Sequence, residues 1–320
     1  MNHEEAVTAI EKAAAPADLF PDGDAPRVFR RLARLTHPDA YPHDRDAGRS
    51  AAAFKRLTEL YDQYCGRTPA GPQLTARGDI ADLFRAAGAA TILKIPRDPA
   101  DNDLMAREAA ALTALRATSS EYLPFVPELT ASTRQRDPAT GAVRRTATLG
   151  WLDGFVTLAD VAAAYPAGIS PRDAAWMWRR LLTAIGFAHS AGIIHGAVLP
   201  PNIMIHPEMH GLVLVDWCYS ATGTTRIPAI VERYRDWYPP EVPAKDTPGP
   251  YTDIAMAAAT MTALMGRQAP WQLTSFAAGC QLPQPTRCPA EAWPLIAELD
   301  ELLERLYGPR RFHPFTMPVA

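Results

Sequence analysis

Ile193-Ile194-His195-Gly196-Ala197-Val198-Leu199-Pro200-Pro201-Asn202-Ile203-Met204-Ile205 is followed, after a short polar interval, by Leu212-Val213-Leu214-Val215-Asp216-Trp217-Cys218. Two apolar runs flanking Pro207 to Gly211 read as a β-hairpin. A hairpin sets the residue before its first strand beside the residue that ends its second, so Asn202 and Asp216 converge. An amide carbonyl next to a carboxylate is a pair of hard oxygen ligands, suited to a Mg2+ that also holds phosphates. Upstream, Ala89 to Ile95 reads as a strand carrying Lys94, and Glu108 follows in the helical run Asn102 to Arg116. A strand lysine held by a helix glutamate grips phosphates. The other reading of Lys94 and Glu108 is an ion pair kept for packing.

These residue types are rare in the chain. Lys occurs only at 12, 55, 94 and 245, so 28 of the 32 basic residues are Arg, and Asn occurs only at 2, 102 and 202. With 31 Pro and abundant Ala, the bias reads as codon usage, and a net charge of −3 gives no global attraction to nucleic acid. The composition, 48% hydrophobic and 21% charged over 320 residues, is that of a soluble globular chain of two domains and excludes collagen, coiled coil and disorder. Its longest apolar run, Ile254 to Met265, is shorter than the ~18 residues a membrane-spanning helix needs, so no membrane partner is expected. The acidic start Met1-Asn2-His3-Glu4-Glu5 is unlike a secretory signal, and the expected location is cytoplasmic. Cys65, Cys218, Cys280 and Cys288 are irregularly spaced without C-x-x-C, which reads as free thiols.

Two Pro and two Gly between Gly66 and Pro72 break both helix and strand, placing a first domain over residues 1–66 and a linker over 67–73. Before it lies helical periodicity only. From Pro26 to Thr36, Val28, Phe29, Leu32 and Leu35 share one face and Arg27, Arg30, Arg31 and Arg34 the other. A second amphipathic helix is predicted from Ser50, as N-cap, to Tyr64, with Ala53, Phe54, Leu57, Leu60, Tyr61 and Tyr64 inward, and Glu4 to Ala15 supplies a third. His37-Pro38-Asp39 then sits at the tip of a helical hairpin. After the linker come strand-like runs at 89–95, 126–133 and 142–150, then mostly helix. Trp176 and Trp178, in the helix from Pro171 to His189, read as core.

Residues 4–65 resemble the J-domain of DnaJ-type co-chaperones, through the basic helix, the His-Pro-Asp tripeptide and Ala53-Phe54-Lys55-Arg56-Leu57 through Tyr61. The resemblance implies that Arg27, Arg30, Arg31, Arg34, His37, Pro38 and Asp39 dock on a DnaK-type chaperone and stimulate its ATPase. The other reading is a solvated helix face and an ordinary turn. Residues 72–318 resemble a protein kinase: Thr91-Ile92-Leu93-Lys94 is similar to the V-A-I-K strand, Glu108 to the glutamate of the following helix, His195 to Asn202 to the catalytic loop H-R-D-x-x-x-x-N, Asp216-Trp217-Cys218 to D-F-G, and Pro239-Pro240-Glu241 to A-P-E. Tyr251-Thr252-Asp253-Ile254 is similar to the start of the helix whose Asp holds the catalytic-loop backbone. Together these resemblances imply a multidomain chain, an all-α J-domain-like hairpin module followed by an α+β, two-lobed kinase-like domain, with lobes at 74–150 and 151–318. They imply nucleotide binding by Gly78, Lys94, Glu108, Asn202 and Asp216, with ATP and Mg2+ as cofactors and Asn202 and Asp216 on the metal.

The departures set the expected activity. Ala197 stands where a kinase has the Asp that accepts the substrate proton, so no catalytic residue is assigned. The Gly-rich loop maps onto Ala76 to Leu83 with only Gly78 kept, Ile92 replaces the small residue that packs on adenine, and Cys218 replaces the Gly of D-F-G. A positioned base contributes about 10²–10⁴-fold. The expectation is therefore a J-domain-containing pseudokinase that binds Mg-nucleotide without efficient phosphotransfer, recruits a DnaK-type chaperone and serves a protein client. The alternatives are an active divergent Ser/Thr-kinase-like phosphotransferase or nucleotidyl transferase with a non-standard base, and an interaction scaffold with neither function.

Overall fold

The computed structural model describes residues 1–20, 24–37, 47–65, 72–118, 120–136, 141–312 and 314–318. Pro38, Asp39, most of the expected linker and residues 137–140 lie outside the described residues. The chain divides into two compact units, Met1–Gln73 with Arg85–Ala89 and Leu74–Phe84 with Ala90–Ala320.

The first unit is helical. Helix α1 (His3–Lys12) starts at an Asn2 capping box closed by Glu5. It ends at Lys12, short of the predicted Ala15: Ala13 is already extended (φ −69°, ψ 118°), and the Ala14 and Ala15 N–H groups donate instead to the Asp18 carboxylate at 2.8 Å. Helix α2 (Ala25–Thr36) places Arg27, Arg30, Arg31 and Arg34 in solvent and Leu32 in the core. Helix α3 (Ala47–Tyr64) begins earlier than predicted. Ser50 is therefore no cap: it lies buried in the first turn, its hydroxyl 3.0 Å from His3 Nε2, while His3 Nδ1 reaches the Leu35 carbonyl at 2.6 Å. Ala6, Val7, Ile10, Leu32, Leu57 and Leu60 are buried together with Phe20, which comes from the segment between α1 and α2 and packs edgewise on Tyr61.

The second unit opens with a five-stranded sheet, order β1-β2-β3-β5-β4, from β1 (Gln73–Arg77), β2 (Ala81–Arg85), β3 (Thr91–Pro96), β4 (Leu129–Arg136) and β5 (Val143–Gly150). β3 pairs antiparallel with β2 and β5, and β5 antiparallel with β4. β4 starts three residues later than predicted; Pro127 has no N–H to give a ladder. Helix α4 (Asn102–Arg116) has the predicted limits and buries Met105, Leu112 and Leu115. β6 (Val156–Thr157) leads into α5 (Leu158–Ala164), capped by Thr157 and Asp160.

The rest is mainly helical: α6 (Pro171–Ser190), the short strand β7 (Ile193–Ile194), the hairpin β8 (Ile203–His206) and β9 (Gly211–Leu214), β10 (Ala221–Thr222), α7 (Pro250–Met265), α8 (Trp271–Gly279) and α9 (Ala292–Tyr307). The hairpin register pairs Ile203 with Leu214. α7 is apolar almost all round and so is buried, Met261 included, whereas α6 buries Trp178 on its inner side and keeps Arg172, Arg179 and Arg180 outward. Gly186 lets α9 approach α6; a β-carbon there would meet the Trp293 ring at 2.9 Å. No helix among the described residues is long and apolar enough to cross a membrane.

Candidate functional site

β3 alternates between its faces, and Lys94 shares the buried side with Ile92. Its ammonium is the centre of a polar cluster: Nζ donates to Glu108 Oε1 at 3.0 Å, to Asp216 Oδ1 at 2.6 Å and to Cys218 Sγ at 3.3 Å. Glu108 comes from α4 and is fully buried; besides Lys94 its Oε1 takes the Trp217 backbone N–H at 3.2 Å, while Oε2 has no partner among the described residues. Asp216 follows β9 in the left-handed region (φ 65°, ψ 61°), a conformation Asp tolerates better than most residues. That turn brings Asp216 and Cys218 both to Lys94.

The charges follow from this geometry. Burial works against the Lys94 ammonium, but Asp216 and Glu108 outweigh it and hold its pKa well above the ordinary lysine range. For Asp216 the same pairing overcomes burial and lowers the pKa. For Glu108 burial wins and the pKa rises, as it does for the buried Cys218 thiol. The ligand atoms of Glu108, Asp216 and Cys218 lie within 4.8 Å of one another, a grouping that could hold a cation, and the Lys94 ammonium is hydrogen-bonded to all three.

The segment 193–202 is fixed from below by α7. Asp253, buried at its N-terminal turn, accepts from the His195 backbone N–H at 2.7 Å and the Gly196 N–H at 2.8 Å, and lies 2.9 Å from His189 Nε2. This is the backbone-holding role expected of it. Gly196 needs its glycine: φ is +76°, and a β-carbon would lie 2.6 Å from the Tyr219 carbonyl. His195 Nδ1 accepts from the Ala197 N–H (3.2 Å), so its Nε2 carries the proton that goes to the Val215 carbonyl (3.0 Å). Burial lowers its pKa, consistent with a neutral ring. Ala197 is fully buried.

The hairpin sets Asn202 beside Val215, whose N–H donates to the Asn202 carbonyl at 2.9 Å. The two expected metal ligands are thus at adjacent hairpin ends, with their side chains engaged separately: Asn202 Nδ2 donates to the Ala197 carbonyl at 3.1 Å, and Asp216 bonds Lys94. Gly78 lies in the tight β1–β2 turn, where a β-carbon would be 2.9 Å from the Ala81 carbonyl. Arg97 secures that turn through the Gly78 carbonyl (2.6 Å) and the Asp79 carbonyl, and the Tyr219 hydroxyl donates to the Asp79 carboxylate. Asp79, Tyr219 and His189 join this cluster with no motif of their own, and Cys218 enters the sequence pattern only as the replacement for the Gly of D-F-G. In the first unit His37 ends α2, exposed, its ring edge-on to Phe54 at 5.0 Å. Arg27, Arg30, Arg31 and Arg34 make no ion pair among the described residues.

No protein-family model matches the chain.

Proposed function

We propose that residues 74–318 form a kinase-like domain that binds Mg-nucleotide without efficient phosphotransfer, and that residues 1–66 are a J-domain-like module recruiting a DnaK-type chaperone to a protein client. The observation that carries the first half is the Lys94 ammonium bonded at once to Glu108 and Asp216, with Asp253 clamping the backbone of His195 and Gly196. A lysine so placed orients phosphates, and Asn202 and Asp216 are the oxygen ligands that would hold Mg2+, the ion that supplies charge neutralisation of the phosphates when bound. The residues offered to the ion are hard oxygens: the Asp216 carboxylate, whose pKa the Lys94 ammonium lowers against burial, and the amide oxygen of Asn202, whose Nδ2 is the atom that donates to the Ala197 carbonyl.

Proton abstraction is what the site lacks. Ala197 offers no base, and Asp253, the carboxylate bonded to this segment, already accepts from two backbone N–H groups with His189 against it. Asp79, tied to Tyr219 over the turn that Gly78 forms, adds a negative charge where phosphate oxygens would want backbone donors. Mg-ATP at about a hundredfold excess over Kd should raise the melting temperature by about 5 °C. The rise should vanish in Lys94→Ala and Asp216→Ala. An equal rise in both variants, or none in the wild type, removes the nucleotide reading. Labelled phosphate or adenylate incorporation that disappears in Asp216→Ala would instead favour the phosphotransferase or nucleotidyl transferase.

For the first unit, the support is the helix pair α2 and α3 with four Arg that make no ion pair among the described residues on the exposed face of α2 and His37 at its end. A basic stripe on a chain of net charge −3 steers toward an acidic partner surface. Steady-state ATPase assays with a DnaK-type chaperone should show stimulation by the wild type and none by His37→Gln. Equal stimulation by both proteins leaves the tripeptide as an ordinary turn.

A further inference from the structure

A cavity of about 600 Å3 opens in the second unit between α6, the end of α9, the β8–β9 turn and residues 308–312, and it shares no lining residue with the Lys94 cluster. One wall is aromatic. Trp176 stacks face to face on His210 (4.0 Å, 5°), and Phe312 tilts against the same imidazole (4.4 Å, 40°). Trp176 is only 8% exposed and its indole N–H has no acceptor among the described residues, whereas Phe312 is 65% exposed, a large apolar ring left in solvent. The unpartnered indole is not peculiar to this wall, since that of the core residue Trp178 also has no partner among the described residues; what sets the wall apart is the exposed Phe312 ring.

The remaining wall is basic. Arg172, Arg179, Arg310 and Arg311 line the cavity against two acids, Asp300 and Glu304, a surplus of two positive charges. Arg179 spends its charge on Asp300, its Nε 2.9 Å from both carboxylate oxygens, and Arg172 lies over the Tyr307 ring at 4.7 Å. Arg310 and Arg311 make no ion pair among the described residues. The crowding reaches the neighbouring Arg180, whose pKa is lowered by burial and then by Arg310 and Arg179. Guanidinium forks beside an apolar wall are the recognition elements for a planar two-oxygen acceptor carried on a ring.

We propose that this cavity binds a planar aromatic anion, one or two fused rings bearing a phosphate or carboxylate, with the ring against Trp176, His210 and Phe312 and the acidic group on Arg310 and Arg311. The volume lies in the range of small-ligand pockets. The site stands apart from the nucleotide reading and would survive its failure.

Isothermal titration of the full chain with 1-naphthyl phosphate, 1-naphthol and inorganic phosphate tests it. The naphthyl phosphate should bind with a Kd of about 0.5 mM or below, given the usual yield per ligand atom. Either fragment should bind about tenfold more weakly, because each keeps only one of the two recognition elements. The double variant Arg310→Gln/Arg311→Gln, on an exposed segment, should weaken the naphthyl phosphate about tenfold. Phe312→Ala, which removes the ring exposed at the cavity wall, should weaken it about threefold. Naphthyl phosphate binding no better than inorganic phosphate, no binding at all, or binding unchanged in both variants overturns the proposal.

Discussion

Asp253→Ala should lower the melting temperature of the second unit by about 10 °C. One carboxylate there accepts from two buried backbone N–H groups and faces a buried imidazole, all inside 3 Å. Truncation leaves those donors without an acceptor in a site water does not reach, which costs about 3–5 kcal/mol. For a unit of this size each kcal/mol is worth about 2–4 °C. Asp253→Asn should do nearly as badly despite equal volume, since its NH2 group points a donor at donors. Differential scanning calorimetry reads both; a drop below about 3 °C in Asp253→Ala, on the same scale, would mean that the segment is held by its packing instead.

Lys94→Met should be comparably destabilised at pH 7, by about 3–5 kcal/mol, and should recover as the pH falls. The wild-type ammonium is what keeps the Asp216 pKa low. That depressed pKa is a stabilising contribution present above the unfolded carboxylate value of 3.8 and lost only as pH drops through the still lower native value. Removing Lys94 reverses the sign. The buried Glu108 carboxylate and the half-buried Asp216 carboxylate then face each other without a counter-charge, their native pKa values rise above the unfolded ones, and protonation on the acid side favours the folded form. Glu108, already raised in the wild type by burial, should take the proton first. Urea titrations at pH 5, 6 and 7 should show the deficit narrowing toward pH 5. A deficit that stays constant over that range would show that Lys94 is not the counter-charge of this cluster.

Much of this was legible in the sequence where local pattern determines structure. Asn102 to Arg116 is a helix with the predicted limits, and the hairpin that joins Asn202 to Asp216 has the predicted turn, because periodicity and turn residues are local properties. The contact between Lys94 and Asp216, 122 residues apart, was inferred only as two parts of one site, and the thiol of Cys218 joins it because Asp216 takes a left-handed turn that no spacing encodes. The strands β1 and β2 were missed as strands because their side chains do not alternate: β1 is exposed throughout. Phe20 was hidden in a proline-rich connection, and Ser50 looked like a cap because serine at a helix start usually is one, whereas here His3 turns it into a buried hydrogen bond.

The four arginines on α2 have a consequence that follows from their chemistry. A guanidinium keeps its charge at any pH a cell reaches, and it is no target for the acylating enzymes that silence lysine. The chain's four lysines are at 12, 55, 94 and 245, none of them on α2. The charge that face offers is thus invariant to acidity and to lysine acetylation. Its reach is set by dissolved salt, with a screening length of about 8 Å under physiological conditions.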